Sequence, residues 1–152
     1  MIIVSACLTG FPCRWNGESR FSEEAADLIG RGFAIPVCPE QLGGLTTPRE
    51  PAEIRDSRAM SRTGEDLTSY FQKGAQIVLE IARKYRCETA VLKEHSPSCG
   101  VHEIHDGSFS GKLVRGSGIT AKLLSENGLQ ILTENDLPQD FCKFKDGESH
   151  GK

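Results

Sequence analysis

The stretch Asp66–Leu92, DLTSYFQKGAQIVLEIARKYRCETAVL, decides the fold class of this 152-residue chain. Apolar residues recur in it at spacings of three and four, which predicts a helix from a cap at Asp66 or Thr68 to about Arg86. The stripe that faces the core consists of Phe71, Ala75, Val78, Leu79 and Ala82. The short apolar run Thr89–Leu92 then predicts a buried strand.

Similar strands are predicted on both sides of this stretch. They are the short apolar runs Met1–Ala6, Phe33–Val37 and Leu129–Leu132. The apolar residues are continuous rather than alternating, which is typical of strands that are covered on both faces in a parallel sheet.

Two further helices are predicted between these strands, one capped by Ser22 and one capped by Ser117. The alternation of strands and helices predicts an α/β fold, a three-layer sandwich with a central, mostly parallel sheet of about four strands. We expect residues 1–134 to form this single domain and residues 135–152 to form a polar tail that is frayed after Pro138. The segment 39–63 is predicted to be a long functional loop.

Net charge, apolar runs and cysteine content limit the classes of protein to which this chain can belong. A formal net charge of −3 gives no general attraction to nucleic acid or to an anionic membrane, although it leaves a local basic groove open. The start of the chain lacks the features of a secretory signal, and no apolar run has the length of a membrane span, so we expect a cytoplasmic protein without a membrane partner. Six cysteines in such a chain favour a metal or redox site over a disulfide scaffold.

Three of the cysteines follow predicted strands. Cys7, Cys38 and Cys99 come just after the first, second and third strands, whose carboxyl ends share the edge where parallel sheets bind ligands. Three thiolates without a C-x-x-C pair suit an iron–sulfur cluster better than zinc, and they leave one iron of a [4Fe–4S] cluster open as a Lewis acid. Cys13 is open to three interpretations: ligand, spare thiol or loop packing. Cys87 and Cys142 are interpreted as small hydrophobic residues.

Polar residues beside these cysteines are candidates for proton transfer. Glu40 follows Cys38 by two residues and is interpreted either as a proton donor or acceptor or as a partner of Arg49. The hydroxyl groups of Ser96 and Ser98 are predicted to bind a substrate or a cluster sulfur, or to satisfy the turn backbone.

Three other groups of residues give weaker indications of function. His102 and His105 lack the H-E-x-x-H spacing of a zinc site and are interpreted as solvent-facing. Lys93 and Glu94 are interpreted as an ion pair at the strand end. The pair Gly43-Gly44 permits a close approach of the backbone to another group or a left-handed turn.

Three blocks of sequence around the strand-end cysteines carry a resemblance to a known family. They read Ser5-Ala6-Cys7-Leu8-Thr9-Gly10, Val37-Cys38-Pro39-Glu40-Gln41-Leu42-Gly43-Gly44-Leu45 and Lys93-Glu94-His95-Ser96-Pro97-Ser98-Cys99-Gly100. With Arg14-Trp15-Asn16-Gly17, they resemble the motifs of the domain-of-unknown-function family 523, the thiouracil desulfidase family. The resemblance runs from residue 1 to about residue 134, with Trp15 in place of the usual tyrosine.

This resemblance implies an iron–sulfur enzyme that hydrolyses a thiolated uracil such as 2-thiouracil to uracil and sulfide without redox change. It implies a [4Fe–4S] cluster on three cysteines, whose free iron takes the substrate sulfur, and a glutamate and a serine in catalysis. Motif and strand position together assign the cluster to Cys7, Cys38 and Cys99, with Cys13 as the substitute. They assign proton transfer to Glu40, and substrate contact or proton relay to Ser96 in preference to Ser98.

Two other classes of function remain open on the sequence. One is a non-catalytic metal- or cluster-binding module for redox sensing or sulfur handling, and the other is a cysteine-rich domain for protein contacts without a cofactor. The substrate is expected to be a small thiobase, while a nucleoside or a thiolated tRNA is also left open. The sequence specifies no oligomeric state.

Overall fold

The computed structural model describes residues 1–137. Its strands are β1 (Ile2–Ser5), β2 (Ala34–Val37), β3 (Ala52–Arg55), β4 (Arg58–Ser61), β5 (Thr89–Leu92), β6 (Glu103–His105), β7 (Leu113–Arg115) and β8 (Gln130–Thr133). Its α-helices are α1 (Glu23–Gly30), α2 (Pro39–Leu42), α3 (Thr68–Lys84) and α4 (Ile119–Glu126), and a 3₁₀ turn, Ala6–Thr9, follows β1. Within this part of the chain, no helix has the length and apolar character needed to cross a membrane.

Four strands form a parallel sheet in the order β2-β1-β5-β8. Successive residues of a strand point to opposite faces, and the central strand β1 is covered on both. Ile2 and Val4 pack with Ala25 and Leu28 of α1. On the other face, Ile3 packs with Val78 and Leu79 of α3 and Leu124 of α4. The predicted three-layer α/β sandwich with a four-stranded parallel sheet is therefore confirmed.

The long helix α3 forms where the apolar periodicity predicts it, but its N-cap is Leu67, without a side-chain cap, rather than the predicted Asp66 or Thr68. The five residues of the predicted stripe are all buried. At its start, Asp66 Oδ1 accepts a hydrogen bond of 3.0 Å from the backbone N–H of Thr68. The Thr68 hydroxyl in turn accepts a hydrogen bond of 3.0 Å from the backbone N–H of Ala59, which ties the helix to β4.

The short helix α2 lies directly against the backbone of α3. A Cβ atom added at Gly43 would overlap the carbonyl oxygen of Tyr70, and one added at Gly74 would overlap the carbonyl oxygen of Pro39. Two facing glycines thus allow an approach that no side chain would permit. The adjacent Gly44 has φ of 104°. Gly43 therefore allows the close approach of two backbones, and Gly44 forms the left-handed turn, which are the two roles that the sequence suggests for the pair.

The segment 39–63 is not the single long loop that the sequence predicts. It contains α2 and the antiparallel hairpin β3–β4, whose turn residues Asp56 and Ser57 have positive φ values of 50° and 63°. A second hairpin, β6–β7, lies between β5 and α4. Both hairpins have strands of only three or four residues, too short to show a clear alternation.

Helix α4 is not capped by Ser117 as predicted. Its N-cap is Gly118, without a side-chain cap. The N–H groups of Ile119 and Thr120 donate to the carbonyl oxygens of Pro97 and Ser98, at 3.0 Å and 2.9 Å. Loop carbonyls therefore satisfy the start of the helix, and they join α4 to the segment before Cys99. The predicted frayed tail after Pro138, including Cys142, lies outside the described residues.

Candidate active site

Four cysteines line one cavity at the carboxyl edge of the sheet. Cys7 lies in the turn after β1, Cys38 directly after β2, and Cys99 in the loop after β5, while Cys13 reaches the same cavity from the segment after the 3₁₀ turn. The cavity has a volume of about 1030 Å³. This is the position in an open parallel sheet where ligands bind, because connections diverge from neighbouring strand ends there.

The four thiols are close enough to influence one another. The hydrogen bond with Cys13 and then burial raise the pKa of the Cys38 thiol. For Cys13, the contact with Cys38 favours the thiolate, but the contact with Cys7 and burial outweigh it and raise the pKa to about 11. Burial raises the pKa of Cys99 to about 12, against the hydroxyl groups of Ser5 and Ser98, which favour its thiolate. Without a cation, the cavity therefore keeps the sulfurs of Cys13, Cys38 and Cys99 protonated.

All five described cysteines are free thiols. Cys87 packs in the core beside Val78 and Leu79, as expected of a small hydrophobic residue, and it does not line the cavity. Among residues 1–137, no three His, Cys, Asp or Glu side chains converge on a point that would hold a single metal ion.

Glu40 and the two candidate serines form one hydrogen-bonded chain on the cavity wall. Ser98 Oγ donates to Glu40 Oε2 at 3.1 Å and lies 3.7 Å from Cys99 Sγ. Ser96 Oγ lies 3.0 Å from Ser98 Oγ and accepts the backbone N–H groups of Ser98 and Cys99. Because Ser96 Oγ accepts twice and Ser98 donates to Glu40, the Ser96 proton points to Ser98. Ser96 therefore donates to Ser98, and Ser98 donates to Glu40, whose carboxylate is the final acceptor.

Burial distinguishes the two serines. Both line the cavity, but Ser98 is buried, whereas Ser96 is half-buried. Ser96 is thus the more accessible hydroxyl, and Ser98 is the one that touches Glu40.

Glu94 organises the loop that carries Ser96 and Cys99. Its carboxylate accepts backbone N–H groups of Val101 at 2.7 Å and His102 at 3.0 Å, with longer bonds from His95 and Glu103. Burial alone would raise the pKa of Glu94, but these N–H donors outweigh it and hold the pKa below its usual value. One buried carboxylate therefore fixes the path of the backbone from residue 95 to residue 103.

The model of the 2-thiouracil desulfurase family matches residues 2–136. The chain belongs to this family. The resemblance predicted from the motifs around Cys7, Cys38 and Cys99 is thereby confirmed.

Two relatives of this desulfurase family member are informative. An uncharacterized protein of Bacillus subtilis (strain 168), YbbK, is 42% identical over 147 residues, which cover 90% of this chain and 97% of the relative. The solved structure of the [4Fe-4S]-dependent thiouracil desulfidase TudS (DUF523Vcz) superposes with a TM-score of 0.88 at 40% identity, covering 95% of this chain and 97% of that one. This chain therefore shares its fold with the solved relative over nearly its whole length.

Two interpretations of individual residues in this family member are wrong. Lys93 Nζ pairs with Glu134 Oε1 at 3.0 Å rather than with Glu94, because the Glu94 carboxylate is turned toward the backbone N–H groups. His105 does not face solvent. It lines the cavity, and its buried Nδ1 has no hydrogen-bond partner among the residues that the structure describes. His102 is exposed, as expected.

Sequence reasoning also missed the role of Ser5. This buried residue ends β1, and its hydroxyl accepts the backbone N–H of Lys93 at 3.0 Å and contacts the Cys99 thiol. The signal was present, since Ser5 precedes Cys7 by two residues at a strand end. A serine in that place has no distinctive spacing, so only the folded sheet shows that it faces β5.

Proposed function

We propose that this chain is a [4Fe–4S]-dependent thiouracil desulfidase, which converts a thiolated uracil and water to uracil and hydrogen sulfide without net redox change. The observation that carries the proposal is that the strand-end thiols and the Ser98–Glu40 hydrogen bond share one cavity. Family membership confirms the predicted enzyme class. The cofactor named for the solved relative is the one predicted from the three thiols.

The donors in the cavity fit such a cluster. Thiolates are the protein ligands of iron–sulfur clusters, and the positive charge of iron offsets the burial that now raises the thiol pKa values. The hydroxyl group of Ser5 favours negative charge on the Cys99 sulfur. Such outer donors orient and tune a ligand. We assign the cluster to Cys7, Cys38 and Cys99, with Cys13 as the substitute ligand.

The bound cluster supplies an iron without a protein ligand, which is a Lewis acid for the soft sulfur of a thiocarbonyl group. The residues of this chain supply the proton transfers. Glu40 accepts one proton from the water that attacks the ring carbon and the second when the added hydroxyl becomes the carbonyl, and it passes each in turn to the departing sulfur, so that C=S and H₂O become C=O and H₂S. Ser98 fixes the orientation of the Glu40 carboxylate, and Ser96 contacts the substrate by turning its proton from Ser98 Oγ into the cavity.

The test is turnover by the reconstituted protein. After anaerobic reconstitution and quantification of iron and sulfide, we expect the protein to remove the near-ultraviolet absorption of 2-thiouracil and to release sulfide and uracil in equal amounts. A cluster-bearing protein that leaves 2-thiouracil intact would contradict the proposal and would favour a non-catalytic cluster module.

Single cysteine variants test the ligand assignment. We expect Cys7→Ala, Cys38→Ala and Cys99→Ala each to lose the bound iron and the activity, because a cluster held by two thiolates is no longer retained. Cys87→Ala is the matched control, since Cys87 is also a buried free thiol but lies outside the cavity. If Cys38→Ala keeps its iron while Cys13→Ala loses it, Cys13 replaces Cys38 in the assignment.

A further inference from the structure

The side chain of Arg49 is buried in the cavity wall. It is 6% exposed, and Nε donates to Glu40 Oε1 at 3.1 Å. Nη2 donates to the backbone carbonyl of Cys13 at 2.9 Å, and Nη1 donates to Thr47 Oγ1 at 2.8 Å and to the Thr46 carbonyl at 3.3 Å. The guanidinium therefore binds three separate parts of the chain at once.

These contacts fix both oxygens of the candidate proton-transfer group. Arg49 holds Glu40 Oε1, and Ser98 holds Glu40 Oε2. A carboxylate held at both oxygens cannot rotate about its last bond without losing one of the two hydrogen bonds. Its orientation is thus set before any substrate enters.

The same guanidinium fixes the segment that carries Cys13. The backbone N–H of Arg49 donates to the carbonyl of Trp15 at 2.8 Å, in addition to the side-chain bond to Cys13. The Cys13 carbonyl also lies 3.7 Å from Cys38 Sγ. Arg49 therefore connects the carboxylate, the Cys13 carbonyl and the loop between α2 and β3.

We infer that Arg49 is a positioning residue for the desulfuration reaction, which acts by holding Glu40 in line with Ser98. This inference rests on the proposed function. The effect comes from the three donor nitrogens of the guanidinium rather than from its charge. Nε, Nη1 and Nη2 donate to separate acceptors in one plane, whereas lysine has a single nitrogen.

Substitution of Arg49 in the reconstituted enzyme tests this inference. We expect Arg49→Lys to keep the iron and sulfide content of the wild type and a KM within about threefold, while kcat per cluster falls about 10- to 100-fold. Arg58→Lys is the matched control with unchanged kcat, since Arg58 is an exposed arginine that pairs with Asp66 away from the cavity. Wild-type kcat in Arg49→Lys would overturn the inference, as would a loss of activity that the iron content accounts for.

A double-mutant cycle separates positioning from a general structural effect. We expect Glu40→Gln to lower kcat about 10²- to 10⁴-fold. If Arg49 acts through Glu40, adding Arg49→Lys to Glu40→Gln lowers kcat by less than about threefold more. Losses that multiply in the double variant would contradict action through Glu40.

The contact itself is testable in the cluster-free protein. Arg49→Gln and Glu40→Gln are each expected to lower Tm by about 5–15 °C, because each leaves a buried charge without its partner, and the double variant is expected to fall no further than the worse single variant. Additive shifts would contradict the coupling. If the wild type fails to desulfurate thiouracil but the Tm values are coupled, the proposed function fails while the Arg49–Glu40 contact stands.

Discussion

The two walls of the cavity are held in place by different means. The Glu94 wall, residues 93–103, is fixed by a carboxylate that accepts N–H groups from within nine residues of itself. The Arg49 wall, residues 13–15 and 38–51, is fixed by a guanidinium that reaches 36 residues back to Cys13. The first wall is thus organised by local contacts, whereas the second is assembled only when distant segments meet. We therefore expect damage to the first wall to reduce stability most and damage to the second to reduce catalysis most.

The largest expected loss of stability comes from the Glu94 wall. We expect Glu94→Ala to lower the free energy of unfolding by about 3 kcal/mol or more, because it leaves several buried N–H groups without an acceptor. Urea unfolding measures this change. Glu80→Ala is the control, since Glu80 is exposed on α3. Equal effects of the two substitutions would show that Glu94 does not organise the loop.

On the Arg49 wall, the next largest effect is expected where α2 contacts α3. Gly43→Ala is expected to lower the free energy of unfolding by about 2–3 kcal/mol, because the new Cβ meets the Tyr70 carbonyl and pushes α2 away. Because α2 carries Glu40, kcat is expected to fall as well. Gly30→Ala provides the comparison, since a Cβ there meets nothing within 4 Å. Unchanged kcat in Gly43→Ala would show that Glu40 tolerates movement of its helix.

Acid is expected to weaken the Glu94 wall selectively. Since the pKa of Glu94 is lowered in the folded protein, its contribution to stability is complete above the unfolded-state pKa near 4.5 and is lost as pH falls through the lower folded value. The difference in unfolding free energy between the wild type and Glu94→Gln is therefore expected to shrink from pH 7 to pH 3. A difference that stays constant over this range would contradict the sign of the shift.

The smallest expected effect concerns the link between the Glu94 wall and β8. Lys93 and Glu134 have side chains 20% and 18% exposed, and their ion pair is expected to contribute about 0.5–1 kcal/mol. A double-mutant cycle of Lys93→Met and Glu134→Gln, measured by urea unfolding at low and high salt, checks this value. A coupling above about 2 kcal/mol would mean that this pair also fixes the wall.

The sequence predicted those elements whose pattern is long or strongly apolar. Strands β1, β2, β5 and β8 and helix α3 belong to this group, because continuous apolar runs and a 17-residue periodic helix leave few alternatives. The two hairpins could not be predicted in this way. The β3–β4 turn uses Asp56-Ser57 rather than Asn-Gly, and all three residues of β7 are exposed, so neither hairpin has an apolar signature.

The residues of the candidate site also fall into those that the sequence could place and those that it could not. Residues directly after strands, such as Cys7, Cys38 and Cys99, could be placed at one edge because topology alone determines that position. Of the side chains that hold the walls, Arg49 is suggested by the sequence only as one possible partner of Glu40, and the role of Glu94 is not recognised. A charged residue in a loop is more often a surface ion pair, and the burial of Arg49 and Glu94 depends on how remote segments pack.

The facing glycines of α2 and α3 provide a criterion for interpreting relatives of this chain. Any homologue with a side chain at the position of Gly43 or Gly74 must hold these two helices farther apart. Its counterpart of Glu40 then starts from a displaced backbone and loses reach toward the serine. The presence of both glycines is therefore a simple marker, readable without coordinates, for deciding which relatives are able to build the same acid–hydroxyl pair.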